Sequence, residues 1–374
     1  MGMMHVLLVL LLLWYVAWLM YQRIAWWMYP ATKLSTSDQD LPSVTVIVPA
    51  RNEALRIERV LRSLLAQDYP ADRLQLIVSD DHSEDRTVET AAALLAPSKF
   101  NCRILQATES DALGKKAALM RAIEVAHGDI ILTTDADCHM SPQWVRTMAT
   151  KFSDPSIRMV TGMVVLDAAP GLIARLERLD QLALSTTGAT TMMAHAPLLC
   201  SGANLAFRKH AFHEVGGYTL GKDDPSGDDT YLMLQMGRSV AFNKSRASVV
   251  YTQPQQQLQA IFNQRKRWAS KVRGYPQKRI ALTGAWLGLI NLLPWVMCAM
   301  VVTGQMHGWF LLLWMATKCL FDVLYLAPVA RYFGQQQSLW VAPLYALLYP
   351  IYALVALFSV FKKGYEWKGR RYAR

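Results

Sequence analysis

Apolar residues run almost unbroken from 3 to 27, long enough to cross a bilayer as one helix. Three further runs of similar length, about 282–303, 309–327 and 339–361, crowd the other end. Between them the pattern changes to short apolar stretches separated by polar loops. Val44-Thr45-Val46-Ile47-Val48 reads as a strand, and Ile57, Val60, Leu61, Leu64 and Leu65 after it keep the helical i, i+3, i+4 spacing. Further strands are expected over 74–79 and near 103–106, then a helix up to Ala126 and a strand within 128–137. Strands alternating with helices predict a mostly parallel, doubly wound α/β sheet. Farther on, 158–166 reads as a strand, 172–187 as an amphipathic helix, 200–209 as the entry to another strand and 231–236 as a helix. The stretch 255–273 is basic and amphipathic, the pattern of an interfacial helix.

With 374 residues the chain can hold one sizeable domain or two smaller ones. Its formal charge of +11 raises the question of nucleic acid. No basic stripe interleaved with aromatics occurs in the polar middle, so no nucleic-acid partner is expected. The basic residues instead flank apolar runs: Arg23, Lys33, Arg265, Lys266, Arg267, Lys271, Arg273, Lys278, Arg279 and the tail 362–374. That is how a protein rests on an anionic cytoplasmic leaflet. No Lys or Arg precedes the first run and no small-residue cleavage site follows it, so it reads as an uncleaved anchor. Lys318 and Asp322, four apart inside the second C-terminal run, can pair on one helix face. Three full C-terminal spans would leave the basic tail outside, so either one run is re-entrant or interfacial, with Pro294, Pro328, Pro343 and Pro350 as candidate breaks, or the positive-inside tendency fails here; a cytoplasmic tail is expected. The five cysteines, Cys102, Cys138, Cys200, Cys298 and Cys319, lack pair spacing, which argues against zinc and disulfides.

The chemistry gathers where strands end. Asp135 and Asp137 leave the fourth strand one residue apart, and ligands of open α/β sheets bind beyond the carboxyl ends of strands. Paired acids there either hold a hard cation, Mg²⁺ or Mn²⁺, or form a solvated turn. Asp80, Asp81 and Asp85 fill the loop after the second strand, and Gly114-Lys115 opens the helix after the third. No Gly-x-Gly-x-x-Gly or Walker loop is present. Asp228 and Asp229 admit two readings, helix caps or functional acids. Gly202 suits a close backbone approach or a positive φ. His82 and His139 read as solvated loop residues. Arg267 and Trp268 suit a phosphate or hydroxyl contact and a stacked sugar face, respectively.

Together these residues resemble the family 2 glycosyltransferases of the GT-A fold. The likeness is to the membrane-bound branch, with ceramide glucosyltransferase-like enzymes and processive synthases of the cellulose, hyaluronan and poly-N-acetylglucosamine type. It covers about 44–268. It implies that Pro49, Ala50, Arg51 and Glu53 line the nucleotide pocket, that Asp81 reads the uracil edge and that Lys115 approaches the diphosphate. Asp135 and Asp137 match the Asp-x-Asp pair, with Asp137 the direct ligand of Mg²⁺ or Mn²⁺. Asp229 stands where such enzymes place their base. Gly-Asp-Asp departs from the usual Glu-Asp, which leaves Asp228 as its rival. Gln264, Arg267 and Trp268 match the Gln-x-x-Arg-Trp motif, and Gly202 and Asn204 fall on the acceptor or diphosphate side. The tail 367–372 resembles that of ceramide glucosyltransferase-like members.

The resemblance implies an inverting, metal-dependent transfer from a UDP-sugar to a membrane lipid, giving a β-glycoside. The alternatives are a processive synthase extruding a polysaccharide and a non-catalytic sugar-nucleotide-binding assembly subunit. The expected organisation is an anchor at 1–30, a GT-A domain at 31–253, an interfacial segment at 254–280, a membrane region at 281–361 and a basic tail at 362–374. The expected setting is a bacterial inner membrane with the catalytic domain cytoplasmic.

Overall fold

The computed structural model describes residues 2–361 and two short strands at 365–367 and 370–372, apart from 33, 36, 222–226, 256 and 271–274. Expected basic positions Lys33, Lys271, Arg273, Lys362, Lys363, Lys368 and Arg374 lie outside the described residues, as does Gly369.

Helix α1 (Gly2–Met28) leads into β1 (Val44–Ala50), α2 (Ile57–Leu65), β2 (Leu74–Asp80), α3 (Thr87–Leu95), β3 (Asn101–Leu105), α4 (Lys115–Glu124) and β4 (Ile130–Thr133). Next come β5 (Cys138–Met140), α5 (Trp144–Thr150), β6 (Met159–Thr161), β7 (Val164–Leu166), α6 (Leu172–Met193), β8 (Leu205–Arg208), α7 (Lys209–Glu214) and α8 (Asp228–Met236). Strands β9 (Val240–Phe242) and β10 (Val250–Thr252) precede helices α9 (Leu258–Ser270), α10 (Lys278–Val302), α11 (Gly308–Tyr332) and α12 (Ala342–Phe361). The antiparallel pair β11 (Tyr365–Trp367) and β12 (Arg370–Tyr372) follows.

The main sheet has the order β3-β2-β1-β4-β8-β6-β9. Its first four strands are parallel, and β8 pairs antiparallel with both β4 and β6. The sheet is therefore mixed beyond β4. The expected strand over 158–166 is two strands: β6 stays in the main sheet, and β7 joins β5 and β10 in a small second one. Gly162, between them, has room for no side chain, because an added Cβ would lie 2.4 Å from Asn204 Nδ2. Strand β5 and helix α5 carried no clear period. The apolar face of α2, Ile57, Val60, Leu61 and Leu64, is buried in the core on one side of the sheet, and Leu119, Ile123 and Phe207 belong to the core on the other.

Helices α1, α10 and α11 are long and apolar enough to cross a membrane. They pack on one another through Leu8, Leu12, Ile290, Met297, Trp314 and Leu326. Their inner ends meet the α/β domain. Lys244 Nζ donates to the carbonyls of Trp26 (2.6 Å) and Tyr29 (2.9 Å), while Tyr332 donates to the Lys244 carbonyl. Ile280, near the start of α10, is buried in the domain's own core. Helix α10 thus leaves the domain, and α11 returns to it through the turn at 303–307. Pro294 and Pro328 were expected as breaks, yet both stand inside continuous helices. Neighbouring helices and local adjustment can re-satisfy the one freed carbonyl. The third C-terminal run is a short 3₁₀ helix followed by α12, which packs along α9 and so returns to the side of the α/β domain.

Candidate active site

Because β1, β2 and β4 are parallel, their carboxyl ends open on one edge of the sheet. Each is followed by a loop with expected functional residues. The first two loops are tied to each other: Arg51 is buried and donates to the carbonyls of Asp81 (2.9 Å) and His82 (2.6 Å) and to Glu84 (3.0 Å). The Asn52 side chain accepts from the Glu84 amide. Asn52 and His82 both have positive φ, at 50° and 58°, a strained geometry that packed surroundings must hold. His82 is not a solvated loop residue, since its ring contacts Asp81 Oδ1 (3.1 Å) and the Thr108 carbonyl (2.8 Å). His139 likewise stacks on Tyr251 and contacts Asp167.

Asp81 is buried and accepts the Gly114 amide at 3.0 and 3.1 Å, which ties the second loop to the start of α4. One residue on, Lys115 Nζ lies 2.5 Å from Asp135 Oδ1. Burial by itself pulls the Lys115 ammonium down, but Asp135, Asp228 and Asp229 outweigh it and hold the group above the usual lysine range. Across the cavity the N-cap of α8 is Gly227, at φ 93°, so neither aspartate caps the helix. Both stand in its first turn, where the helix dipole favours negative charge. Asp229 Oδ2 accepts the Gly202 amide (2.9 Å), and the Gly202 carbonyl accepts from Thr133 (2.8 Å). Gly202 has neither a positive φ nor the expected close approach: a Cβ there would meet Lys115 Nζ at 3.4 Å and Asp228 Oδ2 at 3.6 Å, ordinary contacts.

One cavity of about 1080 Å³ is lined by Pro49, Ala50, Arg51, Glu53, Asp81, Lys115, Asp135, Asp137, Gly202, Asp228, Asp229, Gln264, Arg267 and Trp268. Asn204 is the exception among the expected site residues. It is fully buried behind the cavity, donating to the carbonyls of Met163 (2.8 Å) and Ser248 (2.7 Å) and accepting from Trp144. Its amide is consumed in joining the two sheets.

Among the described residues no three His, Cys, Asp or Glu side chains gather as a metal cage. Asp135 and Asp137 supply two carboxylates. That donor set suits Mg²⁺ or Mn²⁺, which bind through one or two carboxylates, with substrate phosphates and waters completing the shell.

Several cavity residues carried no motif. Asp180 on α6 pairs with Arg265 on α9 and accepts from Tyr345 on α12 (2.5 Å). Arg265 in turn lies 4.2 Å over the Trp268 ring. Glu177 accepts the Gln255 amide (2.7 Å). Burial lifts its carboxyl to about 7 against the opposing pull of that amide and of Arg265. Tyr275 also lines the cavity, and burial first, then Asp229, raises its hydroxyl. The available signal was two acids three apart on the amphipathic helix α6, with an extra arginine beside Gln264.

The sheet, parallel from β3 to β4 and mixed beyond, with acids at its carboxyl edge, is GT-A-like. The mannosyltransferase PcManGT from Pyrobaculum calidifontis, solved in complex with GDP-Man and Mn²⁺, superposes with a TM-score of 0.61 at 22% identity, covering 92% of this chain and 98% of that one. The chain matches Glycosyl transferase family 21 over residues 7–373 and belongs to that family, a group similar to the family 2 enzymes its motifs resemble. An N-acetylglucosaminyltransferase of Rhizobium leguminosarum bv. viciae is 31% identical over 254 residues, covering 64% of this chain and 57% of the relative. The probable glycosyltransferase YdaM of Bacillus subtilis (strain 168) is 26% identical over 239 residues, covering 62% and 55%. The chain thus spans little more than half the length of these relatives.

Proposed function

We propose that this enzyme is an inverting transferase that moves a sugar from a nucleoside diphosphate, UDP in the first instance, to a lipid of a membrane in which α1, α10 and α11 are embedded. One observation carries the reading: the cavity holding Asp81, Asp137, Asp229 and Arg267 is also lined by α1, α10 and α11, through Leu19, Leu287 and Leu326. The hydrocarbon tail of a sugar acceptor can lie against these helices while its head reaches the acids. At about 1080 Å³ the cavity exceeds the roughly 300–1,000 Å³ of single-ligand sites, which suits two substrates together.

In this reading Asp81 and the 49–53 loop bind the nucleoside. Asp135 and Asp137 hold a divalent ion, which when bound offsets charge on the diphosphate. Arg267 and Lys115 aim positive charge at the same leaving group. Asp229 takes the proton of the attacking hydroxyl; its Oδ2 lies on the Gly202 amide, which keeps the carboxylate aimed into the cavity. Attack from the face opposite the leaving group inverts the anomeric centre, so an α-linked donor gives a β-glycoside without a protein nucleophile. Helices α10 and α11 form a hairpin and α12 lies along α9, a compact arrangement that suits single transfer to a lipid better than polymer extrusion. In this reading the catalytic domain is cytoplasmic, and the packing of β11 on α9 supports a tail on the same side.

The test is incubation of membranes with labelled UDP-glucose, UDP-N-acetylglucosamine and GDP-mannose. Organic-extractable label is expected, while water-soluble or insoluble chains would refute transfer to lipid. Asp229→Asn should lower turnover by about 10²- to 10⁴-fold and still be thermally stabilised by UDP with Mn²⁺. Retained turnover removes Asp229 from its role.

A further inference from the structure

The membrane-side end of the cavity is not apolar. Tyr15 of α1 and Lys318 and Asp322 of α11 line it. Lys318 Nζ donates to Asp322 Oδ2 (2.7 Å), and the Tyr15 hydroxyl donates to Asp322 Oδ1 (2.5 Å). Lys318 also lies 5.3 Å over the Tyr15 ring. Asp322 lies five residues before the end of the apolar run near 327, about 7.5 Å along a helix, so the cluster stands inside the candidate span α11.

Charges inside an apolar layer are costly, and a buried ion pair is often no better for stability than apolar residues of the same size. The pair is therefore poorly explained as a fold-stabilising device. It is also not sealed: both side chains line the cavity, with Asp322 keeping 23% of its surface open and Lys318 7%. Both carboxylate oxygens are engaged, while the ammonium has three N–H groups and its hydrogen bond to Asp322 uses one. The cluster as a whole is neutral. It is built to donate a hydrogen bond to an uncharged oxygen, and it offers no net attraction for an anion. Beside it, an alkyl chain has space along α10, where a Cβ added to Gly284 or Gly288 would meet nothing within 4 Å.

We propose that Tyr15, Lys318 and Asp322 form a subsite that reads the sugar acceptor, selecting a membrane lipid with a neutral carbonyl or hydroxyl oxygen near its reacting hydroxyl over one with a phosphate or no second oxygen. This rests on the lipid-transfer reading above. Tyr15 fixes Asp322, Asp322 fixes Lys318, and Lys318 makes the contact.

The test uses the full chain in phosphatidylcholine nanodiscs with the best donor from the screen above. Equal mole fractions of 1,2-dioleoylglycerol, oleyl alcohol and phosphatidylglycerol serve as sugar acceptors. The wild type should prefer dioleoylglycerol by kcat/KM. Lys318→Met combined with Asp322→Asn, which leaves no unpaired charge, should lower the ratio of dioleoylglycerol to oleyl alcohol about tenfold or more, the loss expected for a hydrogen bond to a charged group. Tyr15→Phe, which deletes one hydroxyl and keeps the pair, should shift the ratio in the same direction by less. Thermal stabilisation by UDP with Mn²⁺ verifies that each variant is folded. An unchanged ratio in folded variants overturns the subsite, and so does a wild type that prefers oleyl alcohol or phosphatidylglycerol. No organic-extractable product from the wild type with any of the three would overturn the lipid-transfer reading and this inference with it.

Discussion

Replacing Gly202 with alanine adds one methyl group where Lys115, Asp228 and Asp229 face one another. The new Cβ would stand 3.4 Å from Lys115 Nζ, 3.5 Å from Asp229 Cβ and 3.6 Å from Asp228 Oδ2, all ordinary van der Waals separations. The backbone at Gly202 has no positive φ, so alanine is conformationally acceptable. Fewer unfolded conformations should even favour the folded state by about 0.4–1 kcal/mol, a shift of a few degrees at most in Tm for a chain of this size. The methyl nevertheless occupies space that the proposed reaction needs for the diphosphate or the attacking hydroxyl. Displacing reacting atoms by about 1 Å costs on the order of 10²-fold, so kcat/KM for release of the nucleoside diphosphate should fall by about that factor. The two readouts, calorimetry and a coupled diphosphate assay, are expected to diverge. Equal activity in a protein of equal Tm would show that no reacting atom comes against Gly202, and the assignment of Asp229 and Lys115 to one reaction would go with it.

Removing one carboxylate of the pair, Asp137→Ala, should raise the Mn²⁺ concentration for half-maximal turnover by roughly tenfold or more, since even outer-shell losses cost about 10–100-fold; unchanged Mn²⁺ dependence would exclude Asp137 as a ligand. Glu177 has a carboxyl raised by burial to about 7, so the stability its protonated form contributes is complete below about 4.3 and is lost as pH rises through 7. Glu177→Gln keeps an oxygen for the Gln255 amide and should raise Tm at pH 8, by up to about 3 kcal/mol in stability, with no gain at pH 4; an equal gain at both values would place the effect elsewhere. Gly128→Ala should destabilise by about 1–3 kcal/mol, because its Cβ would fall 2.3 Å from the Thr45 amide nitrogen; an unchanged urea midpoint would contradict the close approach of β4 to β1.

Much of this molecule is written locally. The apolar run at 3–27 and the i, i+3, i+4 positions of α2 identify their elements because periodicity is a property of neighbours along one segment. The loops after β1, β2 and β4 could likewise be located, since polar residues must follow where a buried strand ends. Asn204 shows the limit: its type and its place beside Gly202 suit a ligand contact, yet its amide joins two sheets whose pairing is non-local. The split of β6 from β7 has the same origin, in the space left at Gly162 by a side chain more than forty residues away. Asp180 and Arg265, the Tyr15–Lys318–Asp322 cluster and the path of α12 along α9 also depend on partners distant in sequence. The sequence alone determined which residues are chemically able and which segments are apolar. Only the tertiary structure decided that the acids share one cavity and that this cavity is also lined by α1, α10 and α11, because convergence follows from strand order and helix packing, and neither is encoded within any single segment.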